Sequence, residues 1–199
     1  VSTQNTVTNQ TYDFVKFDVL FGKILETASS EILMGLKVKL LPEWKIYWRN
    51  PGDAGLSPEI KWEKGNNIKS MNLQFPNPKR FNFFGLETFG YENEVIFPVV
   101  IERLNKNKKI SGLLKFEAQV CAEICVPVSF NYDLSKLTKK YENNSKLADI
   151  LKYKNKVPKS VEDKDLELFS FDQLDGKIEL TFINKLNINP YDIIVEDNK

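Results

Sequence analysis

Two cysteines that lie four residues apart, Cys121 and Cys125, are the residues of this chain best suited to chemistry, and no other cysteine occurs among its 199 residues. Their disulfide would close a loop of about five residues, which restrains the unfolded chain by only about 2 kcal/mol, compared with about 4.7 kcal/mol for a hundred-residue loop. A structural crosslink is therefore the weaker explanation of the pair. A redox or metal switch is favoured.

The overall composition excludes several other kinds of site. The chain has no histidine, which removes the usual general base and every zinc site that needs an imidazole. Its net charge is only +1, so electrostatics give no reason to expect a nucleic acid as partner. The longest apolar run, residues 95–101, is far shorter than the roughly 20 residues that cross a bilayer. We expect protein or small-molecule partners and no membrane insertion by these residues.

The spacing of the two cysteines predicts a local hairpin. In one straight strand, residues four apart lie about 13 Å from each other, whereas a disulfide needs Cα atoms about 4.4 to 6.8 Å apart. A hairpin with residues 122–124 at its tip would place Cys121 opposite Cys125. A helical turn would also bring them together, but the β-rich flanks and Pro127 disfavour it.

The surroundings of the pair in the sequence offer neither thiol an evident activator. Lys115 is the nearest basic residue in the sequence, and Glu123 between the cysteines would raise the pKa of a thiol. The pair is thus better suited to be attacked as a disulfide by the thiolate of a partner protein. Two alternatives stay open: Cu(I) bound by two thiolates, to which only Met34 and Met71 could add a soft ligand, and a structural disulfide.

The segments around the cysteines, which must position them, have the sequence pattern of β-strands. From Tyr12 to Tyr132, short alternating or β-branched segments separated by turn residues predict an all-β antiparallel sandwich. Trp44 and Trp48 are expected to fill its core, and residues 50–53 to form a turn. The predicted strands are 15–24, 32–40, 45–49, 60–62, 71–75, 95–101, 110–120 and 125–133, followed by 166–171, 178–182 and 193–195.

The chain divides by composition into four predicted parts. These are a flexible segment at 1–11, the sandwich at 12–134, a helical connector at 135–160, and strands at 161–199 that dock on the sandwich or begin a second domain. Leu147, Ile150 and Leu151 share one face of the predicted helix. The polar start at Val1 is expected of an exported chain whose signal has been removed, and a disulfide would favour the periplasm.

Several ordered motifs resemble those of one protein family. Residues 41–55 resemble the "pGWKtYWRnPGdaG" signature of the DsbD-like and ScsB-like amino-terminal domains, of which the latter are copper-sensitivity suppressor relatives. Residues 75–81 and 90–98 continue the pattern in order, and residues 121–127 close it with a C-x-x-x-C-x-P element. The resemblance covers residues 12–133 and implies an immunoglobulin-like periplasmic domain.

The resemblance also implies a function for the cysteine pair. In that family the pair takes electrons from a membrane-embedded reductase partner and passes them to thioredoxin-fold acceptors, so Cys121 and Cys125 would form a redox-active disulfide without a cofactor. Such a domain would be a component of a protein-disulfide reductase. The copper tolerance associated with the ScsB-like relatives keeps Cu(I) binding by the same two thiolates as the alternative.

A shield over the disulfide is a further implication of the resemblance. In DsbD a cap loop with a phenylalanine covers the disulfide, and Phe83, Phe84 and Gly85 resemble its Phe-Tyr-Gly. Phe83 and Phe84 are the expected cap residues, and Tyr47 is expected to face the cysteine hairpin as a similar tyrosine does in DsbD. Four phenylalanines between positions 81 and 89 are too many for a solvated loop, so they are core, cap or partner surface.

Overall fold

The alternation predicted between Tyr12 and Tyr132 forms two antiparallel sheets. The structure is a computed structural model that describes residues 9–21, 30–83, 85–138, 144–159, 166–174, 177–184 and 194. The chain separates into two compact units, Val1–Val157 and Pro158–Lys199.

The described residues of the first unit form the strands β1 Val15–Leu20, β2 Glu31–Leu40, β3 Lys45–Gly52, β4 Glu59–Asn66, β5 Ile68–Leu73, β6 Lys79–Phe83, β7 Leu86–Glu92, β8 Glu94–Arg103, β9 Ser111–Cys121 and β10 Cys125–Asp133. A 3-10 helix, Leu134–Thr138, and the helix α1, Asn144–Lys154, follow. The first sheet has the order β1-β2-β8-β5, and the second has the order β10-β9-β3-β7-β6 with β4 also paired to β9.

Aromatic side chains join the two sheets face to face. Phe97 on β8 of the first sheet lies 5.2 Å from Tyr91 on β7 and 6.1 Å from Phe116 on β9, between ring centroids. Phe17 on β1 stacks on Phe130 of β10 at 5.4 Å. Burying each such side chain stabilises the fold by about 1.5–3 kcal/mol. The predicted all-β, immunoglobulin-like antiparallel sandwich is confirmed.

The helix α1 packs on the outer face of the first sheet. Ile150 is fully buried and forms a cluster with Leu20 and Ile96. Gly35 leaves the room for it, because a Cβ at this position would lie 2.8 Å from both Ile150 Cγ1 and Ile96 Cγ2. Leu151 is largely exposed. A helix was predicted in this part of the chain, and it spans residues 144–154. Ile150 anchors it to the sandwich.

The two strands of the β6–β7 hairpin were not predicted from the sequence. Phe81 pairs with Thr88 in it, and Gly85 has a positive φ of 79° in the turn. Gly90 suggests a turn in the sequence but lies within β7 opposite Tyr47, where a Cβ would collide with the carbonyl oxygen of Ile46. Glycine here permits a close approach of two strands.

The amino-terminal segment follows the outer edge of β10. Asn9 Nδ2 donates to the carbonyl oxygen of Asn131 at 2.9 Å, and the Asn131 N–H donates to Asn9 Oδ1 at 2.7 Å. The Ser129 N–H donates to the Tyr12 hydroxyl oxygen at 3.0 Å. These side chains take up backbone groups that an edge strand otherwise offers to another chain.

The second unit contains an antiparallel hairpin of β11, Leu166–Leu174, and β12, Lys177–Asn184. Both strands were predicted. The third predicted strand, 193–195, lies outside the described residues except for residue 194. Within the described part of the chain, no helix is long and apolar enough to cross a membrane.

Candidate functional site

The two cysteines face each other at the turn end of the β9–β10 hairpin. Cys125 is the register partner of Cys121, their sulfur atoms are bonded, and their Cα atoms lie 4.1 Å apart. The Ala122 N–H donates to the carbonyl oxygen of Ile124 at 3.0 Å and closes the turn. The predicted hairpin with residues 122–124 at its tip is confirmed.

The two sulfur-bearing residues differ in exposure. Cys121 is 1% exposed because it ends β9 between β10 on one side and β3 on the other. Cys125 begins the edge strand β10 and is exposed. Ile124, beside it at the tip, is 68% exposed. A protein that approaches the disulfide therefore meets Cys125 first.

Lys45 is a charged residue of this site that sequence reasoning missed. It is the register partner of Cys121 across β3 and β9, and paired side chains lie on the same face of a sheet. Its Nζ lies 5.2 Å from the centroid of the Phe81 ring, a cation–π contact. Partial burial lowers the pKa of the Lys45 ammonium.

The signal that could have identified Lys45 is strand alternation. Lys45 and Tyr47 are two residues apart on one strand and so share a face, and Tyr47 was already expected near the cysteines. Lys115, the nearest basic residue in the sequence, instead pairs with Glu63 at 2.7 Å. Strand register, and not proximity along the chain, therefore identifies the basic residue that lies opposite Cys121 in the sheet.

A carboxylate also lies on this part of the sheet. Glu92 on β7 is the other register partner of Lys45, and Lys79 Nζ lies 2.6 Å from Glu92 Oε1. The acidic residue between the cysteines, Glu123, is exposed at the hairpin tip. Glu92 and Lys45 thus share the row of the sheet that holds Cys121, and Glu123 lies at the hairpin tip.

Tyr47, two residues after Lys45 on β3, is buried. It is 3% exposed, it pairs with Gly90, and a Cβ at Gly55 would collide with its ring. Burial raises the pKa of its phenol, so the ring remains neutral across the physiological range. Tyr47 is part of a packed wall beside the row of the sheet that holds Lys45 and Cys121.

Residues 50–53, predicted as a simple turn, prolong β3 and hold β7. Gly52 pairs with Thr88 after an irregularity in the register. The Asp53 N–H donates to the carbonyl oxygen of Glu87 at 2.8 Å, and the Glu87 N–H donates to Asp53 Oδ2 at 2.7 Å. Arg80 forms an ion pair with Glu87. This loop therefore holds β7 close to the turn of the β6–β7 hairpin.

One of the two expected cap residues, Phe83, has a described backbone position. Phe83 ends β6 and pairs with Leu86, while its side chain and all of Phe84 lie outside the described residues. Of the other phenylalanines in this segment, Phe89 is buried under the Arg80 guanidinium, 4.9 Å from its ring centroid. Phe81 contacts Lys45. Phe81 of the β6–β7 hairpin thus lies on the same face of the second sheet as Lys45 and Cys121.

The structure gives the copper alternative no additional ligands. Across the described ranges, no three residues of the types His, Cys, Asp and Glu gather so that they could hold a metal ion. Met34 on β2 and Met71 on β5 both belong to the first sheet, whereas the disulfide belongs to the second. The sulfur atoms of the site are those of the disulfide itself.

One family model matches most of the sequence. It is described as "Thiol:disulfide interchange protein DsbD, N-terminal", and the match spans residues 13–136. No curated protein matches the sequence.

The solved structures that match the chain include two amino-terminal domains. The N-terminal periplasmic domain of ScsB from Proteus mirabilis has a similar fold, with a TM-score of 0.71 at 22% identity over 90% of this chain and 68% of that chain. The reduced N-terminal domain of DsbD from Neisseria meningitidis matches 59% of this chain and 82% of that chain, with 17% identity and a TM-score of 0.36.

Proposed function

Because the chain belongs to the family of amino-terminal domains of the thiol:disulfide interchange protein DsbD, and is thus a thiol-disulfide exchange domain, we propose that it relays electrons in the periplasm. Its donor is a membrane-embedded reductase, its acceptors are thioredoxin-fold proteins, and the Cys121–Cys125 disulfide carries the electrons. No cofactor is needed, since a disulfide and a dithiol differ by two electrons and two protons.

The observation that carries this proposal is the asymmetric disulfide at the end of the β9–β10 hairpin. Cys125 is exposed on an edge strand, whereas Cys121 is 1% exposed. In a disulfide with one exposed cysteine, an attacking thiolate reaches that residue more readily, and the sulfur of the other cysteine is the leaving group. A purely structural crosslink in so short a loop would contribute only about 2 kcal/mol.

Reduction of the domain proceeds in two exchange steps. A thiolate of the donor attacks Cys125 Sγ, the Cys121–Cys125 bond breaks, and Cys121 leaves as a thiolate on the face where Lys45 lies. The second thiolate of the donor then attacks the donor sulfur of the mixed disulfide and releases Cys125 as a thiolate. The donor ends as a disulfide, and two protons from its thiols or from water convert the pair to a dithiol.

Delivery to an acceptor is the same chemistry in reverse. The Cys125 thiolate attacks the disulfide of a thioredoxin-fold acceptor and forms a mixed disulfide, and the acceptor's second cysteine leaves as a thiolate. Cys121 then attacks Cys125 Sγ, which restores the Cys121–Cys125 bond and releases the reduced acceptor.

The proposal is tested by redox exchange with a protein dithiol. The oxidised domain is incubated with a reduced thioredoxin-fold protein, and the free thiols of each protein are counted after separation. We expect the domain to gain two thiols as its partner loses two, because both cysteines change state together. A disulfide that persists against every reduced dithiol protein contradicts the proposal.

Phe83 is proposed as the shield of this disulfide. The substitution Phe83→Ala is expected to raise the rate at which glutathione reduces the oxidised domain by about tenfold, since a shield slows the approach of small thiols to the disulfide until a partner displaces it. Acid quenching and thiol counting measure the rate. Leu86→Ala is the matched control, because Leu86 is the register partner of Phe83 and is 48% exposed. Equal rates in both variants and the wild type contradict the shield.

A further inference from the structure

A groove of about 540 Å³ lies on the second sheet next to β10. Its lining includes Tyr12, Leu56, Glu59, Glu117, Pro127 and Ser129. The amino-terminal segment forms one wall, the loop before β4 forms the other, and β9 and β10 form the floor. We call it the β10 groove.

The floor of the β10 groove continues to the disulfide. Glu117 pairs with Ser129, Gln119 with Pro127, and Cys121 with Cys125, so the three pairs are successive rows on one face of the hairpin. Rows two residues apart are separated by about 7 Å. The row at Ser129 therefore lies about 13 Å from the disulfide, a distance that about four extended residues span.

We propose that the β10 groove binds an extended segment of the redox partner that flanks the partner's reactive cysteine. This inference rests on the proposed function, because the partner's sulfur must lie at Cys125. Side chains two and four residues from that cysteine then face the floor, since alternate residues of an extended segment share one face. The groove favours an apolar side chain at the second position and a basic one at the fourth.

Apolar surface near the middle row supports the preference at the second position. Leu56 is 64% exposed in one wall, and Pro127 is exposed on the floor. Tyr12 lies in the opposite wall. An apolar side chain inserted between them would remove apolar surface on both sides from water.

The preference at the fourth position follows from charge. Glu59 and Glu117 are register partners across β4 and β9 and both line the groove. Lys61 Nζ lies 2.9 Å from Glu59 Oε2 and 3.6 Å from Glu117 Oε2. Two carboxylates around one ammonium leave one negative charge in excess, so a Lys or Arg of the partner is attracted there.

The edge of β10 explains why the segment lies in the groove and does not extend the sheet. Tyr12 and Asn9 already hydrogen-bond the outward groups of Ser129 and Asn131. Pro127 has no N–H to donate. Strand addition along this stretch is therefore opposed, and the accessible surface beside Cys125 is the face of the hairpin.

The test uses the full chain with Cys121→Ser, so that Cys125 is the only thiol. Synthetic peptides carry one cysteine activated as a disulfide with thionitrobenzoate, a leucine two residues away and an arginine four residues away, in either chain direction. The Cys125 thiolate attacks the peptide sulfur, the mixed disulfide forms, and thionitrobenzoate leaves as a coloured thiolate. Comparison peptides carry aspartate in place of arginine or serine in place of leucine.

In one chain direction, the leucine–arginine peptide is expected to react at least about fivefold faster than the aspartate peptide at low salt. The difference should shrink as ionic strength screens the charges. In the Cys121→Ser chain, adding Leu56→Ala should slow the reaction of the leucine–arginine peptide about fivefold. Adding Glu117→Lys should abolish the preference for arginine over aspartate. Leu104→Ala is the matched control, because Leu104 is an equally exposed leucine at 69% that does not line the groove, and its rate should not change.

Reduction of the wild-type disulfide by dithiothreitol separates failure of this inference from failure of the proposed function. If dithiothreitol reduces the pair but all peptides react alike, the groove does not select the partner segment although the redox function stands. If nothing reduces the pair, both fail. Dimerisation through the groove, seen as a rise in sedimentation coefficient with concentration that Leu56→Ala removes, would assign the surface to a second copy and overturn the inference.

Discussion

Cys125 is expected to react with a thioredoxin-fold partner at least about tenfold faster than Cys121 when each is the only cysteine in the chain. In Cys121→Ser the remaining thiol belongs to an exposed residue, whereas in Cys125→Ser it belongs to a residue that is 1% exposed. Exchange requires a direct in-line approach of the attacking sulfur, so its rate depends on access. The measurement is the yield and rate of the mixed disulfide with a partner that keeps one activated cysteine.

The same two variants unfolded in denaturant provide the control. Without the fold, the two thiols have similar surroundings and should react at similar rates. If the folded variants also react equally, or if Cys125→Ser is the faster one, Cys125 is not the sulfur that partners attack first.

Gly90→Ala is expected to destabilise the domain by about 2–4 kcal/mol and to open the redox site. The new Cβ would collide with the carbonyl oxygen of Ile46, which cannot move aside without loss of the β3–β7 pairing at Tyr47. That pairing positions the β6–β7 hairpin beside Lys45. Urea unfolding measures the stability, and reduction by dithiothreitol, expected to be several times faster, measures access to the disulfide.

Gly35→Ala is the matched control for this substitution. Its Cβ would meet the Ile150 and Ile96 side chains at 2.8 Å, and side chains can rotate where a backbone carbonyl cannot. We expect a loss of about 1–2 kcal/mol and an unchanged rate of disulfide reduction, because Gly35 belongs to the first sheet. Equal effects of both substitutions on the reduction rate would show that Gly90 does not position the site.

The hairpin at the cysteines could be predicted because it depends on local geometry alone. Four residues of extended chain are too long for a disulfide, so the segment between Cys121 and Cys125 had to turn. The strands that alternate over several residues were also predictable, and β2 and β10 agree closely with the predicted ranges. Local sequence carries these features because each depends on a few neighbouring residues.

The β6–β7 hairpin could not be predicted from local sequence. Glycine is a residue type typical of turns, yet of Gly85 and Gly90 only Gly85 lies in the turn. Gly90 is required by the close approach of β3. The strand that demands this glycine is distant in the chain, since Gly90 pairs with Tyr47. When a glycine is required by a backbone contact with a strand distant in the chain, the residues next to it do not distinguish it from a turn glycine.

The amino-acid sequence alone was enough to predict that Cys121 and Cys125 meet in a hairpin and to identify the family to which the ordered motifs belong. The folded sandwich was needed to establish that Cys121 is buried and Cys125 exposed, that Lys45 lies opposite Cys121, and that the β10 groove leads to the disulfide. Exposure and charge around a side chain depend on strand register. Register between β3 and β9, which pairs Lys45 with Cys121 far along the chain, is set by packing of the whole sandwich.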